Sequence, residues 1–114
     1  MTPLQRDDYL QRQIRAIAAI MARVAGLRLS GEIEEARLEL ERAYREHLGP
    51  RGEVIRRIDA RTAAQLLGSR DAIRTLADLA DEESALESDA TRREVLRRRA
   101  KELRDLGEEG EPAT

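Results

Sequence analysis

Residues 31–43, GEIEEARLELERA, decide how this chain is read. Ile33, Ala36, Leu40 and Ala43 recur at the three- and four-residue spacings of one helix face, and Tyr44 and His47 extend that face. Glu32, Glu34 and Glu35 open the segment, while Arg42, Arg45 and His47 close it, the order that complements a helix dipole. Ser30-Gly31 interrupts the apolar pattern ahead of it, and Leu48-Gly49-Pro50-Arg51-Gly52 stops it behind. A two-residue break between helices folds them back on each other, so the founding unit is an antiparallel helical hairpin.

Toward the N-terminus, Thr2-Pro3-Leu4-Gln5 predicts a helix start with Thr as the cap and Pro in the first turn. The helix predicted over 3–29 is about 40 Å long at 1.5 Å per residue. Leu10, Ile14, Ile17, Met21 and Val24 form its stripe, which Ile20 and Leu27 widen. That is more apolar surface than one neighbouring helix covers. The five stripe residues are therefore the candidate interface, and the expectation is self-association as a homodimer.

Toward the C-terminus, Val54, Ile55 and Ile58 predict a short helix or turn. A helix over 60–67 follows, capped by Asp59 and ended by Gly68. Ser69 caps the next, whose apolar face is Ile73, Leu76, Ala77 and Ala80. After the turn signal Ser88-Asp89, a last helix over 90–106 carries Val95, Leu96, Ala100, Leu103 and Leu106. The expectation is all-α architecture: about five helices in antiparallel hairpins forming one domain over 1–106. Residues 107–114, GEEGEPAT, read as a disordered acidic tail.

Composition agrees with helices and narrows the chemistry. Among the 114 residues there is no Phe or Trp, and Tyr9 and Tyr44 are the only aromatics. The absence of Cys excludes disulfides, thiolate nucleophiles and Cys-ligated metals, and fits a cytoplasmic location. The most apolar run, Ile14 to Val24, is interrupted by Arg15 and Arg23, so neither a membrane span nor a signal peptide is expected. A net charge of -2 carries no message about a polyanionic partner.

Gly31, Ala36, Ala43 and Pro50 stand five, seven and seven residues apart. This spacing resembles the second helix of a tetratricopeptide repeat, in which small residues allow close helix approach, and it implies a tetratricopeptide-like curl. Asp8-Tyr9-Leu10-Gln11-Arg12-Gln13-Ile14, followed by Gly26-Leu27-Arg28 and Gly31-Glu32-Ile33-Glu34-Glu35-Ala36, resembles a family of small bacterial helical proteins of unknown function. The resemblance covers roughly the first 50 residues and implies a fold without an activity.

His47 is the only histidine, so no His pair or multi-His metal site can be built from one chain. Ser30, Ser69 and Ser88 read as turn or cap residues, and the scattered glycines make no phosphate loop. No cofactor, metal or enzymatic activity is expected. The acids Asp78, Asp81, Glu82, Glu83, Glu87 and Asp89 face the bases Arg92 to Arg104 across the last hairpin, which favours pairing within the chain. Arg93, Arg97, Lys101 and Arg104 share one flank, the candidate footprint for the alternative of a nucleic-acid-associated regulator. Arg92 and Arg99 project into the apolar sector, where a guanidinium must snorkel, pair with a carboxylate or lie at an uncovered face. The leading functional expectation is a non-enzymatic protein interaction module or self-associating scaffold.

Overall fold

The computed structural model describes residues 3–48 and 51–109, the side chains of 3–11, 13, 14, 47 and 109 excepted. The expectations resting on the side chains of Leu10, Ile14 and His47 lie outside the described residues. The chain is all-α, with six helices among the described residues: α1 Pro3–Leu29, α2 Ile33–Leu48, α3 Gly52–Arg57, α4 Ala60–Leu67, α5 Arg70–Leu86 and α6 Ala90–Glu109.

The punctuation is made by the residues that predict it. Gly31 takes φ 84°, a left-handed conformation that suits glycine, while Glu32 N–H bonds to Leu27 O at 2.8 Å to close α1. Asp59 caps α4 by accepting from Thr62 N–H at 3.0 Å, and Gly68 ends it at φ 71°. Ser69 caps α5 through Ala72 N–H, and Asp89 caps α6 through Arg92 N–H at 2.9 Å. Gly52 has a different role: a Cβ there would lie 2.5 Å from Tyr44 O, so its lack of a side chain lets α3 start directly against α2.

Ion pairs and hydrogen bonds fix the register. Arg23 meets Glu39 at 2.7 Å across the antiparallel α1–α2 seam. Arg37 donates to Leu86 O at 2.9 Å and Tyr44 to Glu83 at 2.9 Å, setting α5 antiparallel to α2. Arg28 then meets Glu82 at 3.3 Å from the parallel α1. At 1.5 Å per residue, α2 runs out level with about residue 14 of α1, and α5 begins level with about residue 16.

Helix α5 is the hub, with Ile73, Thr75, Leu76, Ala77, Leu79, Ala80, Ser84 and Leu86 all buried. Ala36 and Ala43 of α2 are fully buried, as expected of small residues at a close crossing. The hydroxyls of the buried Thr75 and Ser84 are satisfied, Thr75 by Asp71 O at 2.8 Å and Ser84 by Arg93 O at 3.3 Å. Helices α2 and α6 both pack on α5 but not on each other. The α3–α4 pair bridges the gap, burying Ile55, Ala60 and Ala63. Such short helices closing a gap between two hairpins give no support to the expected tetratricopeptide-like curl.

Three expectations are corrected. Ile17 and Val24, proposed as interface residues, are 5% and 0% exposed because α2 and α5 cover α1 from two sides; Met21 is half-buried against the same core. Val95, proposed as core, is 59% exposed. The packing face of α6 is Ala100, Leu103 and Gly107, with Leu106 packed against the same core, and its small members let α6 lie close to α5. Gly107 is buried beside Ile73 and Arg74, and α6 continues to Glu109, three residues into the segment expected as tail; 110–114 lie outside the described residues.

Candidate interaction surface

The gap between α2 and α6 is filled by α3 and α4 over only part of its length. Toward the C-terminal end of α5 it stays open as a depression of about 190 Å³, lined by Arg37, Leu40 and Glu41 of α2, Arg56 of α3, Glu83, Leu86 and Glu87 at the end of α5, and Arg92 of α6. Leu40 and Leu86 are its apolar floor, and the rest of the lining is charged.

Arg56 organises the inner wall. Its Nη1 donates to Glu41 at 2.7 Å, its Nη2 and Nε to Glu83 at 3.0 and 3.2 Å, and its guanidinium carbon lies 4.4 Å from the Tyr44 ring centroid. Burial disfavours the charged guanidinium, but Glu41 and Glu83 together outweigh it and raise the Arg56 pKa. The Arg56 hydrogen bond, against the opposing effect of burial, holds the Glu41 carboxyl below its ordinary value. Tyr44 is 2% exposed, and burial, reinforced by the Glu83 charge that accepts its hydroxyl, pushes its pKa far up. This network was missed in the sequence. The available signal was a tyrosine inside an apolar stripe, since a buried phenol needs a partner.

The outer rim is less committed. Arg37 gives one N–H to Leu86 O, and Arg92, its side chain 75% exposed, lies 3.7 Å from Glu87. Glu87 also accepts from Asp89 N–H at 3.1 Å. Arg99 has a different partner from those expected: it donates to Ile58 O at 3.3 Å and to Ile55 O, capping the carbonyl end of α3.

Every member of the basic flank has an acceptor within the chain. Arg93 donates to Glu87 O and Ser88 O, Arg97 pairs with Glu94 at 2.6 Å, Lys101 with Asp105 at 2.9 Å, and Arg104 with both Asp78 and Asp81 at 2.8 Å. Among the described residues, the Arg104 and Arg92 pairs cross the hairpin from carboxylate to base as expected, while Arg97 and Lys101 pair along α6 itself. Of the acidic cluster, Glu82 is held by Arg28 and Glu83 by Arg56 and Tyr44. No group of three potential metal ligands occurs among the described residues, and no helix among them is long and apolar enough to cross a membrane.

No family model, curated protein or solved structure matches the chain.

Proposed function

We propose that the protein is a helical protein–protein interaction module that self-associates through the first turns of α1. One observation carries this reading: α2 and α5, the helices packed on α1, end and begin level with about residues 14 and 16, so roughly 11 residues of α1 run past both. The dimensions agree, 45 Å along one axis against 26 and 25 Å along the others. In sequence this segment carries Leu10 and Ile14, which continue the stripe that Ile17 and Val24 bury within the chain. A second copy presents the same stripe, a self-complementary arrangement with two-fold symmetry. A net charge of -2 adds little repulsion between copies. Of the five stripe residues, Leu10 and Ile14 are assigned to the contact between copies, since Ile17 and Val24 are buried in the monomer core and Met21 packs against it.

Light scattering at about 100 µM, a concentration that reveals even weak association, tests this. The expected result is a dimer of the 12.9 kDa chain for wild type and a folded monomer for Leu10→Arg with Ile14→Arg. A monomeric wild type, or a double variant that dimerises equally well, overturns the proposal. The nucleic-acid reading has less support, because the flank it needs is already matched by acceptors within the chain.

A further inference from the structure

We infer that the depression between α2 and α6 is a subsite for one carboxylate side chain of an acidic peptide, held by Arg37 and Arg92. The inference follows from which hydrogen-bonding groups of the lining are already used. A guanidinium has five N–H donors. Arg56 spends its donors on Glu41 and Glu83 and stacks on Tyr44, so it belongs to the wall. Glu83 accepts from both Arg56 and Tyr44; Glu87 accepts from Asp89 N–H and faces Arg92; Glu41 is engaged by Arg56.

Arg37, by contrast, commits one N–H to Leu86 O, and that bond anchors its guanidinium at the rim. Arg92 stands on the opposite bank with only the long 3.7 Å contact to Glu87. The unspent capacity of the depression is therefore mostly donor, and the group that fits it is an acceptor. Arginine forks match a carboxylate geometrically. At about 190 Å³ the space is below the roughly 300–1,000 Å³ of clefts that take a drug-sized ligand, so it suits a side-chain head group. Glu41 and Glu87 in the same lining repel any anion, and a phosphate, which carries about -1.5 to -2 at neutral pH, more than a single carboxylate.

The test is an NMR titration of the full chain with N-acetyl-tetraglutamate amide, following the arginine Nε–Hε signals, with tetraglutamine, tetralysine and inorganic phosphate as comparison probes. The expected result is saturable shifts of the Arg37 and Arg92 signals by tetraglutamate. Binding should weaken about tenfold in Arg92→Gln, and further when Arg37→Gln is added. Arg92 is exposed, so its single variant keeps the test valid even if the Arg37 change loosens the end of α5. Equal shifts with tetraglutamine or tetralysine, tighter binding of phosphate than of the peptide, no saturation, or unchanged affinity in Arg92→Gln would each overturn the assignment.

Discussion

Tyr44 of α2 donates its hydroxyl hydrogen to Glu83 of α5 at 2.9 Å, while Arg56 of α3 covers the tyrosine ring and bonds the same carboxylate. One polar cluster thereby fixes three helices at a single point. Its members differ in what their removal leaves behind. Tyr44→Phe removes one hydrogen bond and leaves Glu83 paired with Arg56, so the expected loss is about 1 kcal/mol. Glu83→Leu leaves the largely covered Arg56 with Glu41 alone and should cost more, about 2 kcal/mol after allowing for residual solvent access. Urea unfolding of both variants checks the order. A larger loss for Tyr44→Phe would mean that the Tyr44 hydroxyl, rather than the Arg56–Glu83 pair, holds the seam.

Two glycines of the first hairpin should respond in opposite directions. Gly26 lies inside α1 with open space where a Cβ would go, so Gly26→Ala should stabilise by about 0.5–1 kcal/mol through helix propensity. Gly31 sits at φ 84°, where any side chain is strained, and Gly31→Ala should cost about 1–2 kcal/mol. Thermal melts of the two single variants decide it, and a stabilising Gly31→Ala would contradict the left-handed turn.

These turns were legible in the sequence because their chemistry is local. Ser30-Gly31, Asp59, Gly68, Ser69 and Asp89 act on backbone groups a few residues away, and the helices begin and end at them. The packing face of α6 was less legible. Val95 and Leu96 are neighbours about 100° apart on the helix, and either continues an apolar stripe toward Leu103. The choice was made by α5, which accepts Ala100 and Gly107 at close approach and leaves Val95 outside. Arg99 resisted sequence reading for a related reason: its acceptors are main-chain carbonyls more than 40 residues away, which no side-chain pattern reports. The depression is harder still, being the gap left where α2 and α6 fail to meet.

Stability should depend on pH at both ends of the scale. Glu41, Asp59 and Glu94 have depressed carboxyl pKa values: Glu41 through Arg56, Asp59 through Thr62, Glu94 through Arg97. A depressed acid stabilises the fold above its unfolded value, about 4, and that contribution is lost as pH falls through the folded value. The Tyr44 pKa is raised, so its contribution is complete below the unfolded value of about 10 and is lost as pH rises beyond it. Urea midpoints should therefore be level from about pH 5 to 9, fall toward pH 3 and fall again above pH 10. Tyr44→Phe should flatten the alkaline fall and leave the acid one. A midpoint that rises between pH 5 and 3 would reverse the sign argued here.

Arg99 makes a prediction confined to one element. Helix α3 has only six residues, too few to hold together on its own, and its last carbonyls would be unsatisfied without a donor. Arg99 supplies that donor from α6 by bonding Ile55 O and Ile58 O, and its positive charge sits at the negative end of the helix dipole. Arg99→Met keeps much of the apolar stem but removes the donor. Amide exchange in α3 should then quicken about tenfold, including the Ile58 N–H that closes the helix onto Val54 O, while the core of α5 exchanges at its wild-type rate. Arg99→Lys restores the charge but loses the fork and should fall between the two. If exchange accelerated equally in α3 and α5, Arg99 would be supporting the whole fold, and its role as a local cap on α3 would have to be abandoned.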